Sequence, residues 1–130
     1  YAGELSIRGH VITSRWLFGE HELPHGIGHG QVLEYGRRYS TADYDAVFSP
    51  DCLIAFTEGP GEIASRGRGG RHVELGLALG WCKKVIVVHY RENVFCYLPQ
   101  VNYCPSWRDA LHLIDEWEPV DNTASRARIS

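Results

Sequence analysis

The chain has 130 residues, 44% hydrophobic and 22% charged, which suits one domain with a hydrophobic core and is too short for two. A formal net charge of −3 argues against a protein that grips a nucleic-acid polymer, because such proteins normally carry a basic excess. No signal peptide and no apolar run of the ~18 residues of a membrane span is visible, and the four cysteines lack CxxC spacing. We therefore expect a cytoplasmic domain without membrane contact.

The first half of the chain predicts three helices and one strand. Gly9 is a natural terminator for a helix, and a strand is predicted where β-branched residues follow it. A Gly- and His-rich stretch predicts a loop, and Ser40 or Thr41 could cap a short helix with Asp43 in its first turn. The predicted order is helix 1–9, strand 10–14, loop 17–30, weak helix 31–38 and short helix 40–48.

The second half of the chain alternates strands and helices more clearly. Its two best strands are nearly unbroken apolar runs, as expected when both faces of a strand are buried. The last helix carries Trp107, Leu111, Ile114 and Trp117 on one side. The predicted order is strand 52–57, Gly-rich loop 58–70, helix 71–81, strand 85–88, helix 107–117 and a polar, disordered tail over 119–130.

This alternation predicts an α/β fold, a three-layer sandwich with a largely parallel sheet of the flavodoxin-like or Rossmann-like kind. Residues 1–118 form its single domain. The chain opens inside a helix, so the first strand of such a sheet is expected to be missing from it. Ligands of parallel sheets bind beyond the carboxyl ends of the strands, which directs attention to the segments after Thr57 and Val88.

The densest chemical signal is a run of glycines and arginines before the third predicted helix. Glycines let backbone N–H groups approach a ligand, and a helix N-terminus behind them adds a partial positive charge. Arginines would reinforce binding of a small anion, whereas the alternative is a solvated surface loop. The substrate-binding candidates in this run are Arg66, Arg68, Gly69 and Gly70, with Arg71 beside them.

Glu74 follows in the first turn or so of the predicted helix. A carboxylate there is favoured as the anion, and an anion can attack an anomeric carbon and hold a covalent sugar intermediate. The alternative is a glutamate that only complements the helix dipole. His72 is predicted to point away from Glu74 and to be solvated or at an interface.

Residues 69–80, Gly-Gly-Arg-His-Val-Glu-Leu-Gly-Leu-Ala-Leu-Gly, are followed by the strand 84–88 and by 92–95, Glu-Asn-Val-Phe. Together with 13–17 and 51–56, these segments resemble the nucleoside 2-deoxyribosyltransferase-like family, especially its short phage and bacterial members. The resemblance covers roughly residues 1–117. It implies that Glu74 is the nucleophile and that Asp43 helps to position the sugar or the base, the alternative for Asp43 being a helix N-terminal cap.

One departure from the family concerns the substrate. The transferases often carry an aspartate near the base six residues before the nucleophile, where this chain has Arg68. A cation at that place favours a phosphate, as in the related 2′-deoxynucleoside 5′-monophosphate N-hydrolases. Asn93 is a further candidate, because related enzymes complete their sites with polar side chains from this region of a neighbouring subunit, which implies a homo-oligomer. Trp16 could stack on a nucleobase.

Metal chemistry is not expected. His21, His25 and His29 recur every four residues, but Pro24 and neighbouring glycines argue against the helix that would bring them together. The resemblance likewise implies no metal and no organic cofactor.

The sequence therefore predicts an enzyme that cleaves or transfers the N-glycosidic bond of 2′-deoxynucleosides through a covalent deoxyribosyl-glutamate. Its partners would be a deoxynucleoside or deoxynucleotide and a free nucleobase. Two alternatives stay open: a deoxynucleoside 5′-monophosphate N-hydrolase, and a nucleotide-binding or sensing module without turnover. A cytokinin-activating type of phosphoribohydrolase ranks lower, because its Pro-Gly-Gly-x-Gly-Thr signature is missing.

Overall fold

The computed structural model describes residues 1–14, 26, 28–59 and 68–117, and only the backbone of Arg68. The described part contains four α-helices, three β-strands and a short 3-10 helix. In chain order they are α1 (Ala2–Ile7), α2 (His29–Phe48), β1 (Cys52–Phe56), α3 (Arg68–Gly80), β2 (Lys84–Val88), the 3-10 helix (Val94–Tyr97), β3 (Val101–Cys104) and α4 (Trp107–Glu116).

The three strands form one parallel sheet in the order β1-β2-β3. Ile54 lies opposite Ile86, and Val87 lies opposite Tyr103. All three strands run the same way, so their carboxyl ends meet at one edge, which we call the carboxyl edge. The predicted parallel α/β arrangement is confirmed for these strands.

Helices pack on both faces of the sheet because successive residues of a strand point to opposite sides. Cys52, Ile54, Ile86 and Val88 pack with Leu5 of α1 and with Ala110 and Ile114 of α4. On the opposite face, Leu53, Ala55, Val85 and Val87 pack with Val47 of α2 and with Leu75 and Ala78 of α3. β1 and β2 therefore have no polar face within the sheet, as their apolar sequences predict.

Two predictions for the first half of the chain are wrong. Residues 10–14 are not a strand. Within the described residues no strand pairs with them, and Thr13 Oγ1 instead hydrogen-bonds the carbonyl of Ala46 in α2 at 3.5 Å. The two helical segments predicted between residues 31 and 48 are one continuous helix, because Ser40 Oγ donates to the carbonyl of Arg37 rather than capping a new helix. Asp43 consequently lies in the C-terminal half of α2, not in a first turn.

The elements after β1 lie close to their predicted positions. α3 begins at Arg68, three residues earlier than expected, and α4 begins after Ser106, whose hydroxyl accepts the Asp109 N–H. β3 and the 3-10 helix were not predicted, because both are only four residues long. The predicted tail over 119–130 lies outside the described residues.

α3 ends in a hydrogen-bonded C-terminal turn. The N–H of Lys83 donates to the carbonyl of Ala78, and the N–H of Cys82 donates to that of Leu79. These two bonds are those of a Schellman motif, and Cys82 occupies its left-handed position with φ 55°. The turn brings the chain directly into β2. No helix in the described part of the chain is both long enough and apolar enough to cross a membrane.

Candidate functional site at the carboxyl edge

The ends of β1 and β2 are joined by one buried hydroxyl. Thr57 follows β1 and is only 6% exposed. Its Oγ1 accepts the backbone N–H of Tyr90 at 2.7 Å and lies within donating distance of two carbonyls, that of Val88 at 2.7 Å and that of Tyr90 at 2.6 Å. The segments that leave these two strands therefore start from fixed positions.

A second junction is the carboxylate of Glu92, in the segment after β2. Its side chain is 4% exposed, and its Oε1 accepts both the Glu58 backbone N–H at 2.8 Å and Arg71 Nη1 at 2.9 Å. Its Oε2 lies 3.2 Å from His72 Nε2. A second arginine nitrogen, Arg71 Nη2, lies 4.0 Å from Glu58 Oε1. One carboxylate thus connects the segment after β1, the segment after β2 and the start of α3.

These contacts orient α3 with its N-terminal turn at the carboxyl edge. Arg71 reaches residues that follow both strands, and Leu75 lies in the core on the sheet side of the helix. Glu74 is three residues after Arg71 and therefore lies on the same side of α3, one turn deeper. Glu74 is only 8% exposed. It is in the second turn of α3, not the first, because the helix begins earlier than the sequence predicted.

Gly69 and Gly70 lie exposed in the first turn of α3. A first turn has backbone N–H groups without intrahelical acceptors, so it can bind an anion. A Cβ added to either glycine would meet no atom of the described residues within 4 Å, its chain neighbours and the backbone of its own helix aside. Contacts within the described protein therefore do not require glycine at these two positions.

His89, directly after β2, has an unusual backbone conformation. Its φ is 86°, in the left-handed region that β-carbon-bearing residues seldom adopt. Its N–H donates to the carbonyl of Cys104 at 3.0 Å, and its carbonyl accepts the Tyr103 hydroxyl at 2.8 Å. Hydrogen bonds on both sides of the residue hold this conformation at the carboxyl edge, where strained residues of functional sites are often found.

The other predicted site residues lie on different elements or outside the described residues. Asp43 lies in α2, which packs against α3, the helix of Glu74. Asn93 caps the 3-10 helix, since its Oδ1 accepts the Phe95 N–H at 2.9 Å, which is the turn-forming role. Trp16 and Arg66 lie outside the described residues, as do His21 and His25. For Arg68 only its position as first residue of α3 is described.

The cysteines of the sheet are buried thiols. All four cysteines are free, and only Cys82 is exposed. Burial raises the pKa of Cys52 to about 12, and burial followed by the nearby Asp109 carboxylate raises the pKa of Cys104. A thiolate is the nucleophilic form of cysteine, so both groups are poor nucleophiles at neutral pH. Among the residues that the structure describes, no group of three His, Cys, Asp or Glu could hold a metal ion.

Two residues of the site were not identified from the sequence. The sequence singles out Glu92 only as part of the run that resembles a family, and it predicts that His72 is solvated or at an interface. His72 is partly exposed, with 42% of its side chain accessible, but it contacts the buried Glu92 carboxylate. A glutamate four residues after an apolar strand, with an arginine near the start of the preceding helix, was the signal that the sequence offered.

Comparison of the chain with known protein families, with curated proteins and with solved structures finds no match.

Proposed function

We propose that this protein is an enzyme that cleaves or transfers the N-glycosidic bond of 2′-deoxynucleosides or deoxynucleotides, with Glu74 as its nucleophile. The observation that carries the proposal is the burial of Glu74 on α3, one helical turn after Arg71, which reaches the carboxyl edge. Glutamate is almost never this buried without a specific role or partner, and this edge is where parallel α/β sheets bind ligands.

The proposed reaction is a double displacement in two steps. A carboxylate oxygen of Glu74 forms a bond to C1′ while the C1′–N bond breaks, and the electron pair leaves with the base, which takes up a proton. The oxygen of water or a nitrogen of a second base then forms a bond to C1′ while the C1′–O bond to Glu74 breaks; the carboxylate is released and the attacking group gives up one proton to solvent, which balances the proton taken up by the departing base. A double displacement of this kind needs an ionised carboxylate within reach of the anomeric carbon.

The surrounding residues have positioning roles in this scheme. Arg71 and Glu92 hold the first turn of α3 against the segments after β1 and β2, which fixes the helix that bears Glu74. The exposed first turn at Gly69 and Gly70 offers backbone N–H groups to the substrate. We further propose that the whole domain is a three-layer sandwich of the flavodoxin-like kind and that Asp43 orients the substrate.

The test is incubation of the full chain with a panel of deoxynucleosides and deoxynucleoside 5′-monophosphates, with and without a second base, followed by chromatography. Glu74→Gln removes the nucleophile at nearly constant volume, and we expect turnover to fall by at least ~10³-fold. Glu116→Gln, at the exposed end of α4, is the matched control. An acid-quenched reaction should contain protein heavier by one deoxyribosyl group, and Glu74→Gln should not form this species.

Two results would contradict the scheme. Full turnover by Glu74→Gln would show that another group is the nucleophile. Tight ligand binding without product, unchanged in Glu74→Gln, would favour the nucleotide-binding module instead. Gly70→Ala refines the test, because the added methyl group meets no described protein atom. A loss of activity without a loss of stability would then report close approach of the substrate to the first turn of α3.

A further inference from the structure

Arg91 is a cation at the carboxyl edge whose position is fixed from both sides. The N–H of the residue before it, Tyr90, is bound by Thr57 Oγ1 at 2.7 Å. The residue after it, Glu92, is bound to Arg71 and to the Glu58 backbone. The backbone of Arg91 therefore has little freedom, although the residue itself is exposed.

The guanidinium of Arg91 lies over the rings of two tyrosines. Its Cζ lies 4.1 Å from the ring centroid of Tyr103 and 4.8 Å from that of Tyr97. The Tyr103 ring is itself held by the hydrogen bond from its hydroxyl to the His89 carbonyl. A guanidinium in a cation–π contact uses its charge on the ring and not its N–H groups as hydrogen-bond donors, so these donors can bind an anion in a bidentate manner.

The charges nearby leave Arg91 without a carboxylate partner among the described residues. Glu92, its neighbour in sequence, is engaged by Arg71 and His72. Arg71, the described arginine of the Gly-Arg run, is in turn balanced by Glu92 and lies 4.0 Å from Glu58. The arginine expected to attract an anion is thus paired, whereas Arg91 makes only aromatic contacts within the described structure.

Arg91 also lies on the side of the sheet that carries Glu74. Tyr103 packs against the core cluster to which Leu75 and Ala78 of α3 belong, so the ring under Arg91 is on the α3 face of the sheet. Arg91 follows β2 by three residues, which places it at the carboxyl edge beside β3. A ligand at this edge can therefore meet Glu74 and Arg91 from the same side.

We propose that Arg91 binds the phosphate monoester of a nucleotide at the carboxyl edge. The inference rests on the proposed function and deepens it, since it assigns the substrate of the same site to the nucleotides. A dianionic phosphate matches the planar row of N–H donors of a guanidinium. Tyr97 and Tyr103 orient the Arg91 guanidinium, and no described carboxylate pairs with it in place of the phosphate.

Binding measurements by calorimetry separate this proposal from the question of turnover. In a Glu74→Gln background, dissociation constants are measured for a deoxynucleoside 5′-monophosphate, the matching deoxynucleoside and inorganic phosphate. We expect Arg91→Gln to weaken nucleotide binding roughly tenfold or more and to leave nucleoside binding unchanged. Arg108→Gln, an exposed arginine of α4, is the control and should change neither.

Two further variants test the role of the stacking. Arg91→Lys keeps the charge but loses the planar donor edge, so we expect an intermediate loss of nucleotide affinity. Tyr97→Leu removes a ring that is 66% exposed and should reduce nucleotide affinity less than Arg91→Gln does. Nucleotide binding should also weaken with rising salt more steeply in the parent than in Arg91→Gln.

Three results would overturn the proposal: nucleotide binding unchanged in Arg91→Gln, an equal loss of nucleoside and nucleotide affinity, or Arg91-dependent binding of inorganic phosphate without any preference for the nucleotide. The absence of product from every substrate would count against the proposed function alone. In that case Arg91-dependent nucleotide binding would still support the phosphate site.

Discussion

Arg71 Nη1 and Glu92 Oε1 lie 2.9 Å apart, in a pair whose carboxylate side chain is 4% exposed and whose arginine side chain is 25% exposed. The same oxygen binds the Glu58 backbone N–H. Surface ion pairs contribute little to stability, but removing one partner of a buried pair leaves a charge and its donors unsatisfied. This pair should therefore be one of the few polar contacts on which the fold measurably depends.

Glu92→Gln should lower the free energy of unfolding by about 1–3 kcal/mol, because it leaves the Arg71 charge without its partner. The loss is limited since the partly exposed Arg71 side chain can recover some hydration. Equilibrium unfolding in urea measures the change. Glu116→Gln serves as the control and should stay within about 0.5 kcal/mol of the parent. Equal stability of the two variants would mean that Glu92 contributes no more than an exposed glutamate.

Gly59→Ala should destabilise the protein by about 1 kcal/mol through overpacking. A Cβ at this position would lie 2.7 Å from the Tyr90 ring, which is 45% exposed and must move aside. If contact with the Tyr90 ring causes the destabilisation, Gly59→Ala should lower the free energy of unfolding by a smaller amount in a Tyr90→Ala background. A double-mutant cycle from urea unfolding measures this coupling, and additive effects would rule the ring out.

Cys82→Gly should stabilise the protein by about 0.5–1 kcal/mol. Cys82 occupies the left-handed position after α3, with φ 55°, where a side chain costs more than the extra flexibility that glycine gives to the unfolded chain. Thermal or urea unfolding reports the gain. Cys82→Ala is the matched control, since it keeps the Cβ and should bring no comparable stabilisation.

Stability should fall as the pH falls below about 6.5, the unfolded value for histidine, in a manner that depends on His10. Burial, aided by Arg8 and opposed by Asp115, lowers the pKa of His10 in the folded protein. The unfolded chain then binds a proton that the folded chain does not, so the loss develops from the unfolded value down to the folded one. Above that window His10 is neutral in both states and contributes nothing.

The measurement is the urea midpoint at a series of pH values between about 7.5 and 5. His10→Gln should flatten the dependence in this window, whereas His112→Gln, on the exposed side of α4, should leave it unchanged. A parent-like slope in His10→Gln would assign the dependence to another group.

The sequence predicted the elements whose burial follows from apolar character alone. The predicted bounds of β1, β2 and α4 agree with the structure within one or two residues. An unbroken apolar run is typical of a strand buried on both faces, and an apolar stripe with helical spacing is typical of a helix packed on one side. The run 10–14 has the same β-branched composition but is not a strand. Composition cannot report whether a neighbouring strand is available, and strand formation depends on that neighbour.

The candidate site shows a similar division. Glu74 could be selected because it follows glycines and arginines in sequence, and its burial fits a functional role. Glu92 could not, since its importance comes from contacts with residues 20 to 34 positions earlier in the chain. Neither could the pairing of Arg71 or the stacking of Arg91, because both depend on which side chains the sheet brings together.

The Glu92 carboxylate binds the Glu58 backbone, which precedes the segment 60–67, and the Arg71 side chain, which follows it. The two ends of that segment are thus held together by a group outside it. We therefore expect the start of α3 to keep its place beside the end of β1 only while residue 92 carries its carboxylate, so that one side chain from a third segment sets how closely these two parts of the carboxyl edge approach each other.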